Sequence, residues 1–217
     1  MNDTPQRTLV RSVTKPRIAL PLHGPGMRIG LLGGSFNPAH EAHRAISLLA
    51  MKKLRLDRLW WLVTPGNPLK DVRALPPIEE RIKTAIKVAD HPRIDVTGFE
   101  AAIGTKYSCD TIAWLLREAP ATNFVWVMGA DNLKDFHRWR NWREIFMMVP
   151  IAVVDRGGLS LKAASGAAAV SFARARLPEN RALSLPGSVP PAWVYLHGVK
   201  SDLSSTQIRA QKEHEGH

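Results

Sequence analysis

With 217 residues, 45% of them hydrophobic, the chain has the length and apolar content for one domain with a substantial core. Its 30 Lys and Arg against 19 Asp and Glu leave a net charge of +11, so its partners should be anionic: nucleic acid, a membrane surface or small phosphorylated substrates. The single cysteine, Cys109, excludes an internal disulfide framework and fits a reducing, cytoplasmic setting, and no apolar run approaches the ~20 residues of a membrane span.

Residues 1–26 scatter Arg7, Arg11, Lys15 and Arg17 among Pro5, Pro16, Pro21 and Pro25, without the unbroken apolar stretch of a secretory signal. They read as a flexible basic tail before a domain spanning 27–217. MRIGLLGG (27–34) then reads as a buried strand, EAHRAISLLAMKKL (41–54) as a helix, RLWWLVTP (58–65) as a strand and PIEERIKTAIKVADH (77–91) as a helix. RIDVTGFE (93–100) is a third strand, followed by a helix near CDTIAWLLREA (109–119). FVWVMGA (124–130) and PIAVVDR (150–156) add two strands. The Ala-rich LKAASGAAAVSFARARL (161–177) reads as a helix, WVYLHG (193–198) as a late strand, and Ser204 as the start of a final short helix. Strands alternating with amphipathic helices predict an α/β domain, a Rossmann-like open parallel sheet with flanking helices. Right-handed crossovers gather the loops after the strand C-termini on one edge, where such sheets bind ligands.

On that edge falls GGSFNPAHEAH (33–43). Gly33 and Gly34 end the first strand, and the amides of Gly34, Ser35 and Phe36 can face an anion near a helix N-terminus. A plain strand-to-helix turn is the bland alternative. The glycines fit neither the dinucleotide fingerprint nor a P-loop. His40 and His43, three apart, share a helix face. A zinc site would need a third ligand, and HEAH lacks the spacing of the H-E-x-x-H motif. Phosphate contact suits the pair better, although helix-capping or surface histidines would show the same letters.

LSSTQIR (203–209) is the second feature. With Ser204 as N-cap, a helix opening at Ser205 would offer free amides, the Ser204 and Thr206 hydroxyls, and the Arg209 guanidinium one turn on. Alone, it also reads as an ordinary capped helix.

Together, GGSFNPAHEAH and LSSTQIR resemble the G-G-x-F-x-P-x-H-x-G-H and I-S-x-T-x-x-R motifs of the nucleotidyltransferase superfamily. TPGNPLK (64–70), KYSCDTI (106–112) and FVWVMGADNLKDFHRWRNWREI (124–145) are similar to motifs of its bacterial nicotinate mononucleotide adenylyltransferases. The resemblance runs from Met27 to Arg209 in order. Two departures stand out: Ala42 replaces the usual glycine between the histidines, and loop 64–70 is contracted.

The resemblance implies adenylyl transfer from ATP to nicotinate mononucleotide, releasing pyrophosphate, with Mg²⁺ carried on ATP and no metal site of the protein's own. It implies that His43, His40 and Arg209 are catalytic. Gly33, Gly34, Ser35, Phe36, Asp131, Ser204, Ser205 and Thr206 join them in holding ATP, with Asp131 at the ribose. Trp139 would stack on the nicotinate ring, Tyr107 and Ser108 would receive its carboxylate, and Lys70 would meet the mononucleotide phosphate. Trp60, Trp61 and Trp126 read as core. Nicotinamide mononucleotide or phosphopantetheine adenylyltransferases are the nearer alternatives; a nucleic-acid-binding module is the rival class, resting on charge alone. Binding to nucleic acid or membrane is not expected, and the sequence leaves the oligomeric state open.

Overall fold

RLWWLV is apolar at almost every position rather than every second one, as a strand requires when both its faces are covered. The computed structural model, which describes residues 18–66, 75–155 and 165–198, places it inside such a sheet. The elements in chain order are β1 (Arg28–Gly34), α1 (Glu41–Leu54), β2 (Arg58–Val63), α2 (Ile78–Ala89), β3 (Ile94–Thr97), α3 (Phe99–Ile103), α4 (Ser108–Glu118) and β4 (Asn123–Gly129). They continue with α5 (Ala130–Asp135), α6 (Trp142–Met148), β5 (Ile151–Val154), α7 (Ala167–Ser171), β6 (Arg176–Leu177) and β7 (Trp193–Leu196). Short 3-10 segments cover Phe136–Arg138, Ala173–Ala175 and Glu179–Gly187.

Among the described residues the strands form one parallel sheet, ordered β3-β2-β1-β4-β5-β7-β6. Alternate side chains feed two cores. Ile29, Leu31, Trp60, Leu62, Phe124, Trp126 and Met128 point to one face, under α4, α5 and α6. Leu32, Leu59, Trp61, Val63, Val125 and Val127 point to the other, under α1, α2 and the 179–187 segment. Trp60, Trp61 and Trp126 are core residues, as expected. At the N-terminal edge, Arg58 grips Asp95 through two hydrogen bonds of 2.6 and 2.8 Å. There the Arg28 backbone N–H also holds the Asp57 carboxyl below its usual range.

The chain leaves β1 in one direction to build β2 and β3, then returns to place β4 on the other side of β1. That reversal opens a crevice between the C-terminal ends of β1 and β4, the usual ligand site of such sheets.

Two expectations are corrected. The segment before Met27 is not all tail: Ile18 and Leu20 pack against the core, the Gly26 N–H donates to the Ala121 carbonyl at 2.8 Å, and Thr122 Oγ1 donates to the Gly24 carbonyl at 3.2 Å. The apolar IALPL stretch supplies that burial, so the packed domain begins by Ile18. Nor is 161–177 one helix. Among its described residues, 165–177, only Ala167–Ser171 is α-helical; 173–175 is 3-10 and 176–177 is the edge strand β6. Phe172 stacks flat on Phe146 with ring centres 4.1 Å apart, and its carbonyl accepts the Trp193 indole N–H at 2.8 Å. Those interactions turn the chain where alanine propensity would have continued the helix. The helix expected from Ser204 lies outside the described residues.

Candidate active site

Gly33 and Gly34 end β1 beside Leu62 and Val63 of β2. A Cβ on Gly33 would come within 2.7 Å of the Trp126 ring, whereas one on Gly34 would meet only the Phe36 ring at an ordinary 3.4 Å. Glycine at 33 therefore answers first to core packing. Phe36 then takes a left-handed φ of 45°, strained for a bulky residue. Packing holds it there: its buried ring stacks on Trp61 at 4.9 Å and 14°.

His40 is the N-cap residue of α1, and His43 occupies its first turn. Their rings lie 4.0 Å apart, and the His43 ring is 4.8 Å from that of Phe36. The His40 backbone N–H donates to His43 Nδ1 at 3.3 Å, half of a capping box. An accepting Nδ1 puts the ring proton on Nε2, which makes Nε2 the donor nitrogen. Below them, Trp61 Nε1 donates to Ser47 Oγ at 2.8 Å, and Ser47 Oγ to the His43 carbonyl at 2.7 Å. The capping alternative and the functional one are thus compatible: the cap fixes which nitrogen can serve. Ala42, where the resemblance led us to expect glycine, is completely buried.

Across the crevice, β4 runs directly into α5, whose N-cap is Gly129; Asp131 is the second helical residue, not the cap. One of its carboxylate oxygens is buried. The chain then reaches Trp139, which packs edge-on to Trp126 at 6.2 Å and against Phe136 at 5.0 Å. Trp126 therefore touches both ends: the position over Gly33 on one side, Trp139 on the other. Tyr107 caps α4, its carbonyl accepting the Asp110 and Thr111 amides at 3.0 and 3.2 Å, and Ser108 opens that helix. The Arg140 guanidinium lies 4.6 Å over the Tyr107 ring, so the 106–108 and 139–140 segments meet.

The fold thus brings Gly33, Gly34, Ser35, Phe36, His40, His43 and Asp131 to one crevice and pairs Tyr107 and Ser108 with the Trp139 loop. Lys70, Ser204, Ser205, Thr206 and Arg209 lie outside the described residues. Among the described residues no three His, Cys, Asp or Glu side chains lie close enough to share a metal ion, and no helix is long and apolar enough to cross a membrane. Burial pushes the Cys109 thiol up to about 11, which removes it as a nucleophile.

Three residues escaped the sequence reading. Arg81 of α2 is 4% exposed and hydrogen-bonds four main-chain carbonyls behind the β1–α1 turn. Glu100 is buried under the Tyr107 loop, accepting from Thr111 Oγ1 at 2.7 Å; burial raises it to about 7 against that bond. Arg140 sits beside Trp139. EERIK and GFEAA gave no signal, because charged letters on amphipathic segments read as solvent-facing; the WRNW spacing was the available hint for Arg140.

Residues 31–211 match the cytidylyltransferase-like family model. A probable nicotinate-nucleotide adenylyltransferase of Methylorubrum extorquens is 56% identical over 85% of this chain and 100% of its own length. Its counterpart from a Bradyrhizobium species is 58% identical over 84% and 95%. Among solved structures, a Plasmodium falciparum nicotinic acid mononucleotide adenylyltransferase complexed with NaAD superposes with a TM-score of 0.61, at 16% identity, over 85% of this chain and 83% of that one, a likeness of fold. With the paired-histidine turn and Asp131 flanking one crevice, the chain belongs to the cytidylyltransferase-like nucleotidyltransferases and, among them, to the nicotinate-nucleotide adenylyltransferase family.

Proposed function

We propose that the β1–β4 crevice is where this enzyme joins the adenylyl group of ATP to nicotinate mononucleotide, forming nicotinate adenine dinucleotide and pyrophosphate. The observation that carries the reading is the convergence of His40, His43 and Asp131 on the switch point, with Trp139 joined to it through Trp126. The nucleophile is a phosphate oxygen of the mononucleotide. Its second pKa is ~6, so it attacks the α-phosphorus without a general base. The new O–P bond forms as the bond to the bridging oxygen breaks, and that electron pair leaves on pyrophosphate.

What the protein supplies is position and charge stabilisation. His43, its proton directed to Nε2, donates to oxygens that gain charge in the transition state, with His40 beside it. The Ser35 and Phe36 amides hold bridging phosphates, and Asp131 accepts from a ribose hydroxyl. Arg209, with Ser204, Ser205 and Thr206, takes the departing β- and γ-phosphates; Mg²⁺ enters bound to ATP as part of the substrate. Trp139 stacks on the pyridine ring, Tyr107 and Ser108 meet its carboxylate at the α4 N-terminus, and Lys70 meets the mononucleotide phosphate. A cytoplasmic setting and an absence of nucleic-acid or membrane partners belong to the same proposal. The test is pyrophosphate release from Mg·ATP with the acid mononucleotide and, in parallel, the amide. Release with the acid and little with the amide is expected; equal release with both removes the acid-specific assignment.

A further inference from the structure

Behind the β1–α1 turn lies a guanidinium that no phosphate can reach. Arg81 is 4% exposed, and every hydrogen bond it donates among the described residues ends on a main-chain carbonyl. Nη1 donates to Ser35 O at 2.7 Å and Thr64 O at 2.8 Å, Nη2 to Pro65 O at 3.3 Å, and Nε to Pro76 O at 3.0 Å. One side chain thereby ties the turn after β1 to the loops after β2 and before α2. Burial pushes its pKa down and nearby Glu79 pushes back, but guanidinium stays charged throughout the working range.

The Ser35 bond has a directional consequence. A trans peptide holds its C=O and N–H on opposite sides, and the Ser35–Phe36 peptide is not among the cis bonds of this chain. Holding the Ser35 oxygen against Arg81 turns the Phe36 N–H away from it. Among the described residues no backbone carbonyl accepts that N–H. The left-handed φ of Phe36 makes the arrangement costly, and rotating the peptide would relieve the strain while exposing a carbonyl in place of an amide. The ring stack on Trp61 and the Arg81 grip oppose that rotation from two sides.

We propose that Arg81 is a positioning residue for adenylyl transfer: by gripping the Ser35 carbonyl it keeps the Phe36 N–H aimed at the ATP phosphates. The inference rests on the reading of the β1–α1 turn as a phosphate site. Arg81 touches no substrate, and its contribution is to peptide orientation rather than to charge alone. Lysine at 81 keeps the charge but cannot span the same four carbonyls.

Arg81→Lys is therefore compared with the unmodified enzyme in turnover, in melting temperature and in spectra of [¹⁵N]Phe-labelled protein. The chain has six phenylalanines, and Phe36→Leu identifies the Phe36 signal by its disappearance. In the unmodified enzyme Mg·ATP should move that signal. In folded Arg81→Lys the movement should be lost, with kcat down about 100-fold and the mononucleotide KM within about threefold. A folded Arg81→Lys with normal kcat overturns the proposal, as does a slow one whose Phe36 signal still responds normally. Should that variant not fold, [¹⁵N]Arg-labelled unmodified enzyme decides: the Arg81 Nε signal must follow the same ATP titration as Phe36, and a motionless one overturns the proposal. If unmodified enzyme releases pyrophosphate but its Phe36 signal does not respond, this inference alone fails. If it releases none, the underlying reading fails with it.

Discussion

At His43 one imidazole nitrogen is committed to the helix terminus, and that commitment governs what the other can offer. Replacing His43 with alanine should lower kcat by about 100-fold or more, since a donor to developing charge is gone. The lost half of the capping box should cost only about 1 kcal/mol of stability. Thermal melting beside turnover separates the two effects, and near-normal turnover would remove the catalytic role. Trp139→Ala should act differently, raising the KM for the mononucleotide more than it lowers kcat; an unchanged KM takes Trp139 out of that site. Glu100 makes a prediction about pH. Its pKa is raised from 4.5 to about 7 in the folded protein, so between those values the folded state holds a proton that the unfolded chain has released. Its contribution to stability is complete below pH 4.5 and is lost as pH rises through 7. Glu100→Gln should flatten the fall in melting temperature between pH 5 and 8; an unaltered slope would contradict this origin. The histidines, Asp131 and Trp139 were legible because their neighbours in sequence carry the motif. Arg81 and Glu100 were not, because what buries them comes from loops and helices distant in the chain.

For the elements, strands β1, β2, β4 and β5 were readable from their continuous apolar runs, and α1 from its capped amphipathic repeat. The edge strand β6 has two residues and no apolar pattern, and its pairing with β7 is a tertiary event. The Ala-rich stretch before it misled for a related reason: propensity is a weak term, and the Phe146–Phe172–Trp193 cluster overrides it. The β1 terminus yields a paired test. Gly33→Ala drives a methyl into Trp126 and should destabilise by about 1–3 kcal/mol. Gly34→Ala meets only ordinary van der Waals contact and should change folding stability by about 0.5 kcal/mol or less. Equal melting temperatures for the two would refute the packing account of Gly33.

For the whole molecule, the parallel sheet and its ligand-binding edge follow from the alternation of strands and helices, whereas the strand order, and with it the reversal at β1 and β4, is set by tertiary pairing that the alternation does not encode. The +11 charge, by contrast, admitted both a nucleotide enzyme and a nucleic-acid binder. Some of the basic side chains are held in internal bonds, as with Arg58 on Asp95 and Pro92, Arg44 on Ala89 and Asp90 carbonyls, and Arg81 on loop carbonyls. Retention on DNA or RNA should therefore be weak and vanish by about 0.2 M salt, measured on immobilised polynucleotide. Tight retention at that ionic strength would revive the rival class.

The ring of Trp126 fills the volume that a side chain at 33 would need, and its other edge supports Trp139. Position 33 and position 126 are therefore a size trade: one can grow only as the other shrinks. Pairing Gly33→Ala with Trp126→Phe should recover much of the stability each change loses alone, a favourable coupling readable from a double-mutant cycle. The recovered protein should still hold the mononucleotide poorly, because the smaller ring no longer reaches Trp139. An accommodation made for folding at the β1–α1 turn would thus be felt at the far end of the crevice.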